Sequence, residues 1–221
     1  MKLKLYSTSL LFLCLLFGCS EQNKIEKPEV EVASIELIPT IDKPLPLDHS
    51  KERTNEITHL MIHFISNAAV NPKDPYNFND VYSIFEDYGL SVHYLIDREG
   101  NIYNLVSEDR VAYHAGKGSL VEFPSYADKM NEYSIGIELI AMGTKEEMTA
   151  IVPEDIYNQI DTSLAGFTEA QYQSLNRLVQ IILKRNPAIV PNRSHVIGHD
   201  EYARGRKTDP GALFDWSKIG F

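Results

Sequence analysis

Cysteine is almost absent from this chain of 221 residues. Only two occur, Cys14 and Cys19, and both lie close to the amino terminus. The rest of the chain therefore forms no internal disulfide and offers no thiolate to a metal ion. Its stability must come from a hydrophobic core, and the length is sufficient for one domain but short for two.

Positive charge is scarce as well. The chain has 21 lysines and arginines against 31 aspartates and glutamates, which gives a formal net charge of −10. Such a surface disfavours nucleic acids and anionic lipids. We therefore expect no nucleic-acid partner, and we expect the protein to act as a monomer.

The apolar run at residues 10–17 is too short to span a bilayer as a permanent helix. It follows Lys2 and Lys4, an arrangement typical of a secretory signal. Residues 16–19 resemble a bacterial lipobox, although Phe17 is bulkier than the small residue usual there. We therefore expect residues 1–18 to be removed as a lipoprotein signal peptide, and Cys19 to carry acyl chains that anchor the protein to a membrane.

The composition after Cys19 predicts a flexible tether over residues 19–54, polar, charged and interrupted by prolines. Apolar and polar residues alternate over residues 30–37, so part of the tether could add an edge strand to the domain. Ser20 resembles the residue found in lipoproteins sorted to the outer membrane of Gram-negative bacteria, and Glu21 follows it. The expected location is thus the bacterial cell envelope, with the lipid in the outer membrane.

Residues 198–211 bring an imidazole, a lysine and a carboxylate into one loop, namely His199, Lys207 and Asp209. The glycines and proline of this stretch argue against a regular helix or strand, so the side chains can converge. Imidazole and carboxylate are zinc ligands, and a nearby lysine can stabilise negative charge that develops during a reaction. The loop predicts part of a zinc site, which needs at least one further protein ligand.

The apolar stretch at residues 58–65 predicts a buried strand that carries His59 and His63 on one face. Taken alone, His63 is more often a hydrogen-bonded core histidine than a metal ligand. His195 lies four residues before His199. On a helix, two histidines at this spacing can bind the same metal ion, but Pro191 and Gly198 argue against a helix there.

Five separated blocks resemble the type 2 N-acetylmuramoyl-L-alanine amidases, a family that includes bacterial peptidoglycan-recycling amidases, phage lysozyme-amidases and animal peptidoglycan recognition proteins. The blocks are residues 62–63, 91–100, 114–116, 131–138 and 198–211, in the family's order. The resemblance extends from about residue 57 to residue 216. It implies a single α/β domain over residues 55–221, with a central mixed β-sheet flanked by helices.

Local patterns agree with an α/β domain. Residues 79–89 predict a short amphipathic helix that ends at a glycine, and residues 91–96 and 102–106 predict a hairpin. A capping box at Thr168 predicts a long helix that runs through Lys184. Residues 141–166 predict an irregular insertion near the substrate groove.

The resemblance implies that His63, His199 and Asp209 bind Zn²⁺, and the lack of cysteine excludes the histidine-histidine-cysteine site of some phage relatives. It makes Glu138 the general base and Lys207 the group that stabilises the oxyanion. On a buried strand, desolvation would raise the pKa of Glu138 toward a value useful for proton transfer. The alternative is a glutamate at the end of a strand that reaches solvent.

The resemblance also places His114 and Asn131 among the substrate-binding residues. A turn that merely requires Gly116 would explain the sequence around His114 equally well. His93 and His59 are predicted to be structural or packed behind the site. Many family members have a tyrosine where this chain has Val92, and its loss shifts the catalytic role to Glu138.

The implied reaction is hydrolysis of the amide between N-acetylmuramic acid and the L-alanine of the peptidoglycan stem peptide, with peptidoglycan or a muropeptide as substrate. Two alternatives stay open at this point. One is a peptidoglycan-binding receptor of the same fold without catalysis, and the other is a zinc peptidase that cuts within the stem peptide.

Overall fold

The structure is a computed structural model that describes residues 38–221. The predicted signal peptide, the expected lipidation site at Cys19 and the alternating segment at residues 30–37 lie outside the described residues. In chain order the elements are β1 Ile41–Asp42, β2 Ser50–Glu52, β3 His59–Ile65, α1 Phe78–Tyr88, β4 Tyr94–Ile96, β5 Ile102–Asn104, β6 Arg110–Ala112, α2 Met130–Tyr133, β7 Ser134–Ile140, α3 Lys145–Met148, α4 Glu154–Tyr157, α5 Glu169–Arg185, β8 Val196–Gly198 and α6 His199–Tyr202.

Six strands form one mixed sheet in the order β1-β5-β4-β7-β3-β8. The pairs β1-β5, β4-β7, β7-β3 and β3-β8 are parallel, and β4-β5 is antiparallel. Strands β2 and β6 form a separate antiparallel pair. The predicted α/β fold with a central mixed sheet is confirmed. Within residues 38–221, no helix has the length and apolar composition needed to cross a bilayer.

Strand β3 divides the molecule into two faces. Leu60 and Ile62 point to a core that includes Leu175 and Val179 of α5. Met61 lies on the other face and packs with Tyr202 of α6. Because side chains alternate along a strand, the histidines of β3 lie on the face opposite α5. The long helix therefore supports the sheet from behind, and the candidate site is on the open face.

The capping box predicted at the start of α5 is present. Thr168 Oγ1 accepts a hydrogen bond from Gln171 N at 3.1 Å, and Gln171 Oε1 accepts one from Thr168 N at 3.0 Å. The buried Gln171 amide also donates to the carbonyl oxygen of Ile140 at 3.0 Å. The side chain that begins the helix thus also fixes it against the carboxyl end of β7.

The predicted tether is too long at its carboxyl end. Residues 41–42 and 50–52 are strands that pair with β5 and β6, and Arg53 donates to the carbonyl oxygens of Glu132 at 2.7 Å and Arg110 at 2.9 Å. The folded domain thus begins before the predicted boundary at residue 55. Strands of two or three residues show too little periodicity to be recognised, and their partners lie far along the chain.

The predicted insertion at residues 141–166 is less irregular than expected. It contains the short helices α3 and α4, and α3 begins with a capping box between Thr144 and Glu147. Its apolar side chains, including Met148 and Tyr157, form a small core with Phe64. The insertion is therefore packed against the sheet rather than projecting from it.

Two buried histidines outside the candidate site are held neutral by the fold. Burial, followed by the Arg53 guanidinium, lowers the pKa of His93 to about 3. Burial, followed by His195, lowers the pKa of His59 to about 4. His93 Nδ1 accepts a hydrogen bond from Gly136 N at 3.0 Å, so its neutral ring links β4 to β7. The prediction that His93 is structural agrees with this placement.

These pKa values predict a loss of stability in mild acid. Unfolding returns each histidine to an ordinary pKa of 6.5, so the unfolded chain binds protons first as the pH falls. The stabilisation is complete above pH 6.5 and is lost toward about pH 4 and pH 3. Between pH 7 and pH 5 we expect the free energy of unfolding to fall by about 2 kcal/mol for each histidine, measured by urea unfolding with a chelator present. His93→Asn keeps an acceptor for Gly136 N but does not titrate, so an undiminished pH dependence in this variant would contradict the assignment.

Candidate metal centre and active site

Adjacent parallel strands bring two histidines together at one edge of the sheet. Strand β3 carries His63, and His199 directly follows β8 as the first residue of α6. The register pairs Ile62 with Gly198, so each histidine is one residue beyond a matched pair. Asp209 approaches from the loop after α6, whose path is fixed by a 2.8 Å hydrogen bond from Asp200 N to Asp209 O. The strand, the helix start and the loop therefore meet at one point.

Three side-chain atoms form a nearly equilateral triangle there. Asp209 Oδ2 lies 2.9 Å from His63 Nδ1 and 3.0 Å from His199 Nδ1, and the two nitrogens are 3.0 Å apart. Each Nδ1 has either one proton or one lone pair, so no arrangement of protons turns all three contacts into hydrogen bonds. A cation among the three atoms would accept a lone pair from each. The fold thus brings together the three ligands predicted from the sequence. Among the described residues, they form the group of histidine and carboxylate side chains that could hold a metal ion.

The electrostatics of the triangle favour metal-binding protonation states. Burial, then His199, lowers the pKa of His63 to about 4, with Asp209 opposing the shift. Burial raises the pKa of Asp209, but hydrogen bonds and charge from His199 and His63 outweigh it and hold that pKa below its usual range. At neutral pH, His63 is therefore neutral and Asp209 is anionic, the forms that coordinate a divalent ion.

Glu138 faces the same centre from the neighbouring strand. It is paired with His63 in the β3-β7 register, and its Oε2 is buried without a hydrogen-bond partner among the described residues. Burial raises the pKa of Glu138 well above its ordinary value, Asp209 raises it further, and Lys207 opposes both. The raised pKa gives this carboxylate the capacity to take up and release a proton beside the candidate metal centre.

A cavity of about 1120 Å³ opens onto the centre. Lys207 and Glu138 line it together with the three potential ligands, and Val92 lies in its wall. The far part is formed by α1 and by residues 147–152 of the insertion, where Tyr88 and Ile151 are exposed. The cavity can therefore hold a ligand much larger than a single metal-binding group.

The structure places His114 and Asn131 in the wall of this cavity, and both also contact other residues. His114 Nδ1 lies 3.0 Å from His63 Nε2. Asn131 Oδ1 accepts hydrogen bonds from the backbone N–H groups of His114 and Ala115. Their role as substrate contacts stays a prediction.

Two histidines of the sequence analysis lie away from the centre. His59 is enclosed at the opposite end of β3, stacked on His195 with ring centroids 5.0 Å apart and edge-on to Phe123 at 4.7 Å. Neither belongs to the triangle. The strand pattern alone could not distinguish His59 from His63, because both point to the same face.

Sequence reasoning missed two groups that contact the site. The Ala115 carbonyl oxygen lies 2.9 Å from His199 Nε2, and Arg206 donates to the same oxygen at 2.7 Å. Every residue has a backbone carbonyl group, so the sequence could not identify the one of Ala115 as a contact of the site. Arg206, beside Lys207 in the histidine-containing loop, was the available signal.

Comparison with known proteins gives the family. The family model for N-acetylmuramoyl-L-alanine amidases matches residues 53–212. This chain belongs to that family. It is 30% identical over 187 residues to the 1,6-anhydro-N-acetylmuramyl-L-alanine amidase AmpD of Haemophilus influenzae. This match covers 77% of this chain and 85% of the relative. It is 29% identical over 150 residues to the N-acetylmuramoyl-L-alanine amidase AmiD of Escherichia coli, covering 65% of this chain and 48% of that protein.

Solved structures show the same fold. A crystal structure of AmpD superposes with a TM-score of 0.60 at 28% identity, covering 84% of this chain and 94% of AmpD. E. coli AmiD in complex with anhydro-N-acetylmuramic acid-L-Ala-D-gamma-Glu-L-Lys superposes with a TM-score of 0.55 at 28% identity, covering 76% of this chain and 59% of AmiD. The fold and the family thus agree with the resemblance found in the sequence.

The triangle predicts one divalent ion per chain. His63→Ala, His199→Ala and Asp209→Ala should each lower the metal content after equilibration with zinc and dialysis, because each removes one of three donors. Elemental analysis by mass spectrometry measures this. His195→Ala is the matched control, a histidine on the same side of the sheet but outside the triangle, and it should keep its metal. Loss of metal in His195→Ala with retention in His63→Ala would show that the donor set is wrong.

Proposed function

We propose that this member of the family is a zinc-dependent N-acetylmuramoyl-L-alanine amidase. The reaction is hydrolysis of the amide between N-acetylmuramic acid and the L-alanine of the stem peptide. The observation that carries the proposal is the convergence of His63, His199 and Asp209 beside Glu138 in one cavity. A structural ion pair would not require this combination of donors and proton acceptor.

The donor set fits zinc. Ligand atoms bound to zinc at about 2.0–2.1 Å in tetrahedral geometry lie about 3.3 Å apart, close to the 2.9–3.0 Å edges of the triangle. Two imidazoles and one carboxylate leave a fourth position open, as in catalytic rather than structural zinc sites. When bound, zinc supplies a Lewis acid that polarises a carbonyl group and makes water more acidic.

The chain's own residues supply the proton transfer and charge stabilisation. Glu138 takes a proton from the attacking water and delivers it to the leaving nitrogen of L-alanine, for which its raised pKa is suited. The Lys207 ammonium stabilises negative charge that develops on the carbonyl oxygen. Because this chain has Val92 in the cavity wall, no phenol is available at that position to share the task.

Two observations favour catalysis over a binding role. All three donors are present, and Glu138 has a buried Oε2 atom and a raised pKa, which a receptor would have no reason to maintain. A peptidase that cuts within the stem peptide needs the same metal chemistry. The identity of the bond that is cut therefore separates amidase from peptidase.

Relatives support a soluble muropeptide as substrate. The H. influenzae relative is described as acting on 1,6-anhydro-N-acetylmuramyl-L-alanine, and E. coli AmiD was solved with an anhydro-muramyl peptide. No second binding module raises the local concentration on an insoluble polymer within residues 38–221. We expect this chain to cleave soluble anhydro-muropeptides faster than intact cell wall.

The proposed location is the bacterial outer membrane, through acyl chains on Cys19. The support is the lipobox-like sequence at residues 16–19 and the net charge of −10, which disfavours anchoring by electrostatic attraction to anionic lipids.

Mass analysis of the products tests the proposed function. Soluble anhydro-muropeptides and purified cell wall are offered at equal stem-peptide concentration. We expect a free peptide that begins with L-alanine and a muramic acid whose lactyl carboxyl group is free, with the faster rate on the soluble substrate. A chelator should abolish the reaction and zinc should restore it. Cleavage between two amino acids of the stem would replace the amidase assignment by a peptidase.

Glu138→Gln provides the matched control for this experiment. It keeps the shape of the side chain but cannot accept a proton, so it should bind zinc normally and lose about a hundredfold or more in kcat. Lys207→Ala should also retain zinc. A near-normal rate in Glu138→Gln would assign the proton transfer to another group.

Fractionation of expressing cells tests the anchor. The wild-type chain should sediment with outer membranes, and Cys19→Ser should fail to be processed and acylated. Cys14→Ser is the matched control, because it changes the other cysteine within the signal peptide, and it should behave as wild type. Recovery of correctly cleaved wild-type protein in the soluble fraction would contradict the anchor.

A further inference from the structure

The segment His114-Ala115 lies against both histidines of the candidate metal centre. His114 Nδ1 is 3.0 Å from His63 Nε2, and the two rings meet edge to face at an interplanar angle of 89°. The Ala115 carbonyl oxygen is 2.9 Å from His199 Nε2. Each imidazole of the centre therefore contacts this segment through the nitrogen that faces away from the triangle.

The tautomer of His63 follows from a short chain of contacts that runs from the Met130 carbonyl oxygen through Ser134 and His114 to His63. Ser134 Oγ lies 2.6 Å from the Met130 carbonyl oxygen, and a carbonyl only accepts, so the serine hydroxyl donates there. Its oxygen then accepts from His114 Nε2 at 3.3 Å, which leaves His114 Nδ1 with a lone pair. That lone pair can only be met by a proton on His63 Nε2.

The consequence for His63 is that its Nδ1 carries the lone pair, and this is the atom that faces the triangle. The same logic holds for His199 in one step. Because the Ala115 carbonyl oxygen accepts, His199 Nε2 donates and its Nδ1 is left as a lone pair. The contacts at Nε2 thus favour, in both imidazoles, the tautomer that a metal ion requires. In the metal-free chain they compete with Asp209 Oδ2, which accepts any proton carried on His63 Nδ1 or His199 Nδ1, at 2.9 and 3.0 Å.

The segment itself is fixed by Asn131. Its Oδ1 accepts from His114 N at 3.0 Å and from Ala115 N at 2.7 Å, so one side chain holds both residues of the segment. Arg206 holds the Ala115 carbonyl oxygen from the other side at 2.7 Å.

Strand β7 leaves room for the His114 ring. A Cβ atom at Gly136 would lie 2.6 Å from His114 Cγ and 2.7 Å from Nδ1, too close for any side chain. Glycine at this position allows the ring to lie flat against the strand and to reach His63. The placement of His114 is therefore supported by the backbone as well as by its hydrogen bonds.

We propose that His114 and Asn131 are positioning residues that set the tautomer and ring orientation of His63 and His199. The inference rests on the proposed zinc function for its purpose, but the tautomers are a property of the metal-free chain. His114 and Asn131, which the sequence analysis expected to bind substrate, are thereby assigned the role of orienting the candidate metal ligands.

Zinc affinity of the full chain, measured by competition with a chromogenic chelator, gives the first test. Leucine, asparagine and aspartate have nearly the same shape, which provides matched pairs. His114→Leu removes the acceptor for His63, and Asn131→Leu removes the acceptor for the segment. Each should weaken zinc binding about 10- to 100-fold. His114→Asn and Asn131→Asp restore an acceptor at the same place and should recover most of the affinity. His195→Phe, outside the centre, should bind zinc as wild type does.

Nitrogen-15 NMR of the metal-free chain, labelled in its histidine rings, gives a readout that general loss of packing would not produce. In wild type, the signals of His63 and His199, assigned from His63→Gln and His199→Gln, should both report a proton on Nε2. His114→Leu should shift His63 toward a mixture of tautomers and leave His199 unchanged. Ser134→Ala, at a buried residue that is not among those lining the cavity, should shift His63 in the same direction and provides the test if His114→Leu does not fold.

An unchanged His63 tautomer in both His114→Leu and Ser134→Ala would overturn the proposal, as would equal zinc affinity in the leucine and the asparagine or aspartate variants. Failure of the proposed function is a separate result. It would be a wild-type chain that shows the expected tautomers but releases no L-alanine peptide from muropeptides.

Discussion

Parallel pairing of β3 with its two neighbours is the constraint on which the site depends. The β3-β7 register places Glu138 opposite His63, and the β3-β8 register ends one residue before His199. Backbone hydrogen bonds therefore set the separation of the two candidate histidine ligands and of Glu138, the candidate proton acceptor. A slip of one residue in the β3-β7 register would turn His63 or Glu138 to the face covered by α5. The apolar residues that bind the helix, Leu60 and Ile62, oppose such a slip.

Burial then gives these side chains their chemical properties, and it acts in different directions on different groups. It lowers the pKa of His63 and raises that of Glu138, because it disfavours the charged form of each. Asp209 is the exception. Its two histidine partners hold its pKa low in spite of burial, so the anion persists. One low-dielectric site thus contains a neutral candidate ligand, an anionic candidate ligand and a carboxylate with a high proton affinity. The different contacts of the three groups account for their different pKa values.

Outside the triangle, the fold places His93 and His114 where both ring nitrogens contact polar groups of neighbouring elements. His93 links β4 to β7, and His114 lies between His63 and Ser134. Gly136 serves both, since its N–H donates to His93 and its lack of a side chain admits the His114 ring. The centre of β7 thus accommodates histidine rings, which explains why a glycine lies within this otherwise largely apolar strand.

The sequence by itself determined the kinds of ligand, the family and the fold class, because these depend on residue types in order and on local patterns such as the capping box at Thr168. It also excluded a thiolate ligand, since no cysteine follows Cys19. The strand pattern did not separate His59 from His63; the family resemblance selected His63, and only the tertiary structure shows the physical reason. His59 and His63 share a face, and pairing with β8 alone places His63 beside His199. The same holds for residues 41–53 and for His114, whose partners are distant in sequence, so that their contacts exist only once the sheet has formed.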